Sequence, residues 1–318
     1  MAGVAGGRLA AAVHTAGGFG YIGAGHKPLE TLVEDVRLAR DAFSLPESND
    51  LPLGIGFMGW KFEEPQLSAE SAATEGDRWL RYIIHEAKAR SIWISFAANL
   101  KHWVDMARRI EAEPPARDNE RTPRKEKLLV AVMVQSVDKA KEVLNWSGVD
   151  AIVLQGTESG GHGADHNSGA PLCALLDSVL DLRPDSAASP LVLAAGGISS
   201  PEAVSKHLSR EGVAAVITGT ALCVADESVL SEAQKRLLVE AKDGETATAR
   251  SMRWDIARGT TGWPAGVDGR GLRDVTSEST GEVQKGGPPV TWAGTGVGDV
   301  SGTGPAAQIV QHLMSKSL

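Results

Sequence analysis

A histidine framed by glycines follows a short apolar run and has the clearest potential for chemistry in this chain. The run Ala151–Leu154 stops at Gln155, and His162 comes seven residues later, between Gly161 and Gly163. Such a short apolar run is typical of a buried parallel strand, and α/β folds carry functional groups just beyond the carboxyl ends of these strands. Because imidazole titrates near neutral pH, a histidine here is suited to general base catalysis. A loop histidine without a catalytic role is the alternative.

Two later glycine turns have the composition of a phosphate site. The next two apolar runs end in glycines, the first at Gly196-Gly197 and the second at Gly219-Thr220. Backbone N–H groups in such turns, together with the positive end of a helix, bind phosphate. The turns after the last two strands of an α/β barrel commonly hold a cofactor phosphate. The pair therefore predicts a phosphate site, and ordinary turn chemistry is the alternative.

Composition excludes several classes of function. The formal net charge of −8 argues against nonspecific binding to nucleic acid or to an anionic membrane. Cys173 and Cys223 do not have the spacing of metal ligands, so we predict no metal site. No apolar run is long enough to span a membrane, and the first residues lack the pattern of a signal peptide. We therefore expect a cytoplasmic protein with a small-molecule ligand, and the oligomeric state stays open.

Apolar runs alternate with helical patterns along the first part of the chain. This alternation predicts an α/β fold with a parallel sheet and crossover helices, and 318 residues suffice for one large barrel or two smaller domains. The predicted strands are Phe19–Ala24, Leu51–Phe57, Ser91–Ala97, Leu128–Val134, Ala151–Gln155, Leu191–Ala195 and Ala214–Thr218. The predicted helices are Pro28–Ala42, Glu70–Ala89, Leu100–Glu111, Val137–Trp146, Pro171–Leu182, Pro201–Ser209 and Asp226–Lys242.

The chain is predicted to have three parts. Residues 1–258 form the barrel, residues 259–305 form an irregular glycine-rich segment, and residues 306–318 form a helix that docks on the barrel. We expect the middle part to cover the site near Trp263 and to limit substrate size, because it follows the last strand. An irregular surface loop is the alternative.

Several motifs resemble those of the nitronate monooxygenases, once called 2-nitropropane dioxygenases, and in particular their fungal type. The specific part is the Gly-Gly-His segment, whereas the later glycine turns recur in many flavin or phosphate barrels. The matching pieces extend over nearly the whole chain and comprise Met1–Gly3, Leu9–Gly20, Gln155–Gly163, Ala195–Ile198, Gly219-Thr220, Asp268–Arg270 and Trp292–Gly298.

The resemblance implies a (β/α)8 TIM-type barrel that holds FMN non-covalently. The implied partners are a small-molecule substrate and oxygen. The implied reaction is the oxidation of alkyl nitronates or nitroalkanes to a carbonyl compound and nitrite. His162 would be the catalytic base that removes the α-proton of a nitroalkane, or would orient a nitronate. The implied cofactor residues are Gln155, Gly160 and Gly161 beside the flavin ring and Gly196, Gly197, Ile217, Thr218, Gly219 and Thr220 around the phosphate.

Three departures from the family pattern matter. Gly54 and Gly56 stand where many bacterial members end a strand with Asn, which predicts that one side-chain contact to FMN is lost or is replaced by a backbone contact. Ser159 replaces the usual Ala before Gly-Gly-His. The family's first apolar strand precedes Met-Ala-Gly, which here begins at Met1, so the barrel is predicted to lack its N-terminal first strand. We expect a native start upstream; a shortened, weakly stable or inactive variant is the alternative.

Three other functions stay open at this point. A flavin-dependent enoyl reductase that uses NAD(P)H shares the barrel, FMN and the Gly-Gly-His segment. A non-catalytic, degenerate flavin-binding barrel would keep the cofactor without turnover. A metal hydrolase could use His162, Asp165 and His166, although Gly161 and Gly163 disfavour the helix that would bring the histidines to one face.

Overall fold

Parallel strands alternate with helices in this chain, as the apolar runs predict. The computed structural model describes residues 1–25, 27–63, 69–113, 123–183, 186, 189–273 and 290–316. The chain divides into two units. The first contains Met1–Met133, Trp146–Ala151 and Glu227–Val229, and the second contains Val134–Asn145, Ile152–Asp226 and Leu230–Leu318.

Four parallel strands in the order of the chain form the sheet of the first unit. The strands are β1 (Tyr21–Ile22), β2 (Leu51–Met58), β3 (Ala89–Ser95) and β4 (Leu129–Val134). The helices are α1 (Gly7–Thr15), α2 (Leu29–Phe43), α3 (Ala69–Arg81) and α4 (Leu100–Glu111), with a 3-10 turn at Gly59–Phe62 and a π-helical turn at Tyr82–Glu86.

An aromatic cluster fills the core of the first unit at the end of β2. The Phe57 ring stacks on Phe62 with centroids 5.0 Å apart and lies 5.1 Å from Trp103. Glu63 accepts a hydrogen bond of 2.9 Å from the Trp103 indole and one of 2.7 Å from the backbone of Ala98. The carboxylate thus provides an acceptor for the indole N–H of the cluster and for a backbone N–H in the loop that leads into α4.

Three further strands with their helices form the core of the second unit. The strands are β5 (Ala151–Gln155), β7 (Leu191–Ala195) and β8 (Val213–Ile217), in that order, with β7 and β8 parallel. The helices are α5 (Val137–Leu144), α6 (Leu172–Leu182), α7 (Pro201–Leu208), α8 (Thr220–Cys223), α9 (Glu232–Glu240), α10 (Gly244–Ala247), α11 (Arg253–Arg258) and α12 (Ala306–Met314). A 3-10 turn spans Thr295–Asp299.

The seven strands predicted from the apolar runs are all present, although Phe19–Ala24 is reduced to the two residues of β1. The helix predicted from Pro201 begins there, because Ser200 caps it and accepts a hydrogen bond of 3.3 Å from the backbone of Ala203. The terminal helix α12 contacts α7 and α8 within the second unit. No helix in the described ranges is long and apolar enough to cross a membrane.

One helix prediction was wrong in its extent, and one helix was not predicted. The single helix predicted for Asp226–Lys242 is restricted to α9, because Ser231 and Gln234 form a capping box that starts the helix there. The glycine-rich opening contains a helix, α1, that the sequence analysis missed; Leu9, Ala10, Ala11 and Val13 of this helix are buried. Part of the predicted helix Glu70–Ala89, and most of the segment between α4 and β4, lie outside the residues whose side chains the structure describes.

A small antiparallel sheet corrects the prediction for residues 259–305. Its strands are β6 (Gly161–Ala164), β9 (Thr248–Ser251) and β10 (Val267–Leu272), in the order β6-β10-β9. The described part of the supposedly irregular segment therefore contains a strand, and residues 274–289 lie outside the description. Strand β10 could not be predicted from the sequence. Its residues are Val-Asp-Gly-Arg-Gly-Leu, and glycine and aspartate are disfavoured in strands. His162 consequently lies in a strand rather than in a turn.

Candidate active site

A buried histidine–aspartate pair lies at the small sheet of the second unit. His162 Nε2 is 2.9 Å from Asp255 Oδ1 and 3.0 Å from Oδ2. The Asp255 side chain is fully buried, and the His162 side chain is 11% exposed. Strand β6 carries the histidine, and α11 carries the aspartate. A carboxylate removed from water in this way requires polar partners, and the imidazole is one of them.

Two tryptophans fix the plane of the imidazole ring. The Trp263 ring stacks on His162 with centroids 3.6 Å apart and an angle of 11°, and the Trp292 ring lies 4.9 Å away at 59°. Gly269 is the register partner of His162, and a Cβ atom there would come within 2.4 Å of the Trp292 ring. The missing side chain of Gly269 therefore leaves room for the indole. Trp263 belongs to the segment that was predicted to cover the site.

Gln155 lies at the end of β5 and supports the same strand. Its amide donates a hydrogen bond of 3.3 Å to the carbonyl oxygen of His162. Its own carbonyl oxygen accepts a short hydrogen bond from the amide of Gln135. The structure thus brings Gln155 and His162 together, two of the residues selected from the sequence.

The segment between Gln155 and His162 is anchored by the chain near residue 294. The carbonyl oxygen of Glu158 accepts a hydrogen bond of 2.9 Å from Thr295, and the Glu158 carboxylate accepts one of 3.0 Å from the backbone of Leu172 at the start of α6. A Cβ atom on Gly160 would lie 2.4 Å from the nitrogen of Gly294. Glycine at position 160 therefore permits this close approach of two backbones.

The glycine turn after β7 adjoins this segment. Gly196 and Gly197 have φ angles of +122° and +69°, which favour glycine. A Cβ atom on Gly196 would lie 3.3 Å from the nitrogen of Ser159. Within the described residues the buried hydroxyl of Ser159 has no hydrogen-bond partner. Because an unpartnered buried hydroxyl is costly, a ligand oxygen bound between this serine and the turn would satisfy it.

The second glycine turn lies at the start of α8. Gly219 precedes this helix, and Thr220 is its first residue. The Thr220 hydroxyl accepts a hydrogen bond of 3.0 Å from the backbone of Gly294, the residue that also contacts Gly160. Gly294 therefore links this turn to the glycine segment before His162.

Two arginines support the glycine segment from the neighbouring strands. Arg250 on β9 pairs with Asp268 on β10 at 2.9 Å, and both side chains are almost fully buried. Burial lowers the pKa of Arg250 to about 10 and raises the pKa of Asp268. Arg270 donates a hydrogen bond of 3.1 Å to the carbonyl oxygen of Thr157. Asp268 and Arg270, which the sequence placed in a covering loop, are thus part of the sheet that supports β6.

The metal hydrolase hypothesis required a helix that the structure does not form. His162 lies in β6, and Asp165 instead accepts backbone hydrogen bonds of 3.0 and 2.8 Å from Asn167 and Ser168 in a turn. Among the residues described, His, Cys, Asp and Glu side chains form no group of three that could hold a metal ion.

Asp255 is the site residue that sequence reasoning missed. It is 93 positions from His162, and it belongs to no motif that could have marked it. The sequence analysis includes Trp292 in the motif Trp292–Gly298 but assigns it no role. A short polar residue in a helix is ordinarily exposed, so the sequence carries no signal of this buried pair.

Comparisons with known proteins agree with the family resemblance of the sequence motifs. A family model described as nitronate monooxygenase matches residues 1–262. The nitronate monooxygenase npaC of Metarhizium robertsii is 30% identical, with 96% of this chain and 85% of that protein covered.

Two solved structures share the fold. The nitroalkane oxidase from Streptomyces ansochromogenes matches with a TM-score of 0.71 and 20% identity, over 99% of this chain and 92% of that one. FabK from Thermotoga maritima matches with a TM-score of 0.70 and 20% identity, over 99% and 90%. The prediction of an α/β fold of the TIM-barrel type is confirmed.

The buried pair between β9 and β10 gives a first prediction. Asp268→Asn leaves the Arg250 guanidinium buried without its counter-charge, so we expect a loss of roughly 3–5 kcal/mol in the free energy of unfolding. The measurement is urea denaturation followed by circular dichroism. The matched control is Asp177→Asn, which removes the partner of Arg210 in a surface pair and should cost at most about 1 kcal/mol. Equal effects of the two variants would contradict the structural role of the pair.

Proposed function

The chain belongs to the nitronate monooxygenase family, and we propose that it is an FMN-dependent enzyme that oxidises alkyl nitronates or nitroalkanes with oxygen. The products are a carbonyl compound and nitrite. The family consists of flavin oxidoreductases that act on a small-molecule substrate with oxygen. The observation that carries the proposal is that the Gly-Gly-His segment, intact in this sequence, holds His162 in a buried site with a fixed orientation.

The residues around the two glycine turns fit a phosphate-bearing flavin. Gly196 and Gly197 present backbone without side chains, and the Ser159 hydroxyl beside them is buried and unpartnered within the described residues. We assign the flavin ring to Gln155, Gly160 and Gly161. We assign the phosphate to Gly196, Gly197, Ile217, Thr218, Gly219 and Thr220.

The protein supplies position and proton transfer, whereas FMN, when bound, accepts electrons from the nitronate and delivers them to oxygen. His162 acts as the base that takes the α-proton of a neutral nitroalkane. With a substrate that is already an anion, His162 orients the nitro group. Trp263 and Trp292 lie against the imidazole and leave little of it accessible, which limits water at the reacting centre.

The enoyl reductase alternative receives less support. At 20% identity, the likeness to FabK concerns the fold alone. The sequence relative that covers nearly all of this chain carries the name nitronate monooxygenase. Consumption of NADH with an enoyl thioester would favour the reductase, and oxygen uptake with nitronates favours the monooxygenase.

The cofactor and the reaction are tested together on the purified protein. We expect a yellow protein with one FMN per chain that consumes oxygen and releases nitrite when an alkyl nitronate is added. The measurements are the absorbance spectrum, oxygen uptake and a nitrite assay, with NADH plus an enoyl thioester as the comparison. A folded protein that binds FMN without turnover of either substrate would instead be a non-catalytic flavin protein.

Ser159 gives a second prediction, on cofactor affinity. Ser159→Ala removes the buried hydroxyl, and we expect the affinity for FMN to fall roughly tenfold, the value of one hydrogen bond to a ligand. The measurement is titration of apoprotein with FMN by flavin fluorescence. The control is Ser209→Ala, which removes an exposed hydroxyl at the end of α7 and should leave the affinity unchanged. An unchanged affinity in Ser159→Ala would show that this hydroxyl does not contact the cofactor.

His162 gives a third prediction. We expect His162→Ala to retain FMN but to lose roughly two to four orders of magnitude in kcat on neutral nitroalkanes, the usual contribution of a positioned base. Nitronates prepared in advance need no proton removal, so their turnover should fall less. Steady-state oxygen uptake on both substrate forms measures the difference. Equal losses would assign His162 to substrate orientation, and an unchanged rate would remove it from the mechanism.

A further inference from the structure

We propose that Asp255 is the positioning residue of His162: its carboxylate accepts a hydrogen bond from Nε2–H, and this leaves Nδ1 as the nitrogen that takes the proton of the substrate. The inference rests on the proposed function, since it requires His162 to be the base. No motif of the sequence assigns Asp255 a role, and only the folded chain brings the two side chains together.

The carboxylate of Asp255 is held in one orientation. Both of its oxygens lie within 3.0 Å of His162 Nε2, and Oδ1 also accepts a hydrogen bond of 2.8 Å from the hydroxyl of Thr260. The backbone of Thr260 donates a further hydrogen bond of 2.9 Å to the carbonyl oxygen of Asp255. A fully buried carboxylate with fixed partners cannot swing away from the imidazole.

This arrangement selects one tautomer of the imidazole. A neutral imidazole carries one N–H, and an ionised carboxylate can only accept a hydrogen bond. The N–H of His162 therefore lies on Nε2, which faces Asp255, and Nδ1 keeps its lone pair. Stacking against Trp263 prevents the ring from tilting out of this plane.

The same arrangement serves the proton transfer itself. The C–H bond at the α-carbon of the nitroalkane breaks, its proton binds to Nδ1, and the electron pair stays on the substrate as the nitronate. The histidine then carries a positive charge in a site with little water. The negative charge of Asp255 lies next to the imidazolium and stabilises its positive charge. A neutral asparagine at position 255 would not provide this stabilisation.

The kinetic test uses the holoenzyme with Asp255→Asn. The amide keeps the shape but carries no charge, so we expect kcat on a neutral nitroalkane to fall roughly 10- to 1000-fold, with a smaller loss on the preformed nitronate. Asp255→Glu, which retains a carboxylate, should recover part of the rate. The control Asp177→Asn removes a carboxylate from the surface of the same unit and should keep the wild-type rate.

A double variant separates positioning from a merely structural role. If Asp255 acts through His162, then His162→Ala with Asp255→Asn is no slower on the neutral substrate than His162→Ala alone. Additive losses, or equal losses of Asp255→Asn on both substrate forms, would overturn the proposal. Either result would mean that Asp255 supports the fold rather than the base.

A spectroscopic readout keeps the proposal testable apart from catalysis. Nitrogen-15 NMR of histidine-labelled holoenzyme distinguishes the two tautomers, and the signal of His162 is the one lost in His162→Ala. We expect the proton on Nε2 in the wild type and a changed tautomer population in Asp255→Asn. A proton on Nδ1 in the wild type would refute the proposal. If the wild type has the expected tautomer but does not oxidise nitronates, the proposed function fails and the positioning by Asp255 stands.

Discussion

The antiparallel pairing of β6 with β10 is the constraint on which the site depends. Its register places Gly269 opposite His162. The backbone of a segment far along the chain therefore fixes the position of the His162 backbone, from which the imidazole projects. The pairing needs glycine on both strands, because Gly163 lies against the Arg250 guanidinium and Gly269 against the Trp292 ring. The glycines around the histidine thus serve packing of the small sheet in addition to any approach of a ligand.

The carboxylates buried at this small sheet require charged or polar partners. Two carboxylates are withdrawn from water, Asp268 with Arg250 and Asp255 with His162, and each has its partner within 3 Å. The first pair joins β9 to β10 through the hydrogen bond between Arg250 and Asp268. The second pairs its carboxylate with an imidazole, whose two ring nitrogens can donate or accept a hydrogen bond. Burial thus gives each carboxylate a different kind of partner, a guanidinium in one pair and an imidazole in the other.

The parallel strands could be predicted because their apolar runs are short, buried and bounded by glycine. The small sheet could not, because Val267–Leu272 reads as a turn, and only its partners make it a strand. Gln155 and His162 were found in one motif, which local sequence can reveal. Asp255 could not be predicted, because it lies 93 positions from His162 along the chain. The contact between the two side chains results from tertiary packing, which no local sequence pattern encodes.

The anchoring of the glycine segment bears on the order in which the molecule forms. The backbone of Glu158 contacts Thr295, and the backbone of Gly160 lies against Gly294. Both contacting residues come late in the sequence, after most of the second unit. These contacts close a loop of more than a hundred residues, and they can form only after that later part of the chain has been synthesised. In a nascent chain that ends before Gly294, the glycine segment before His162 therefore lacks these backbone neighbours.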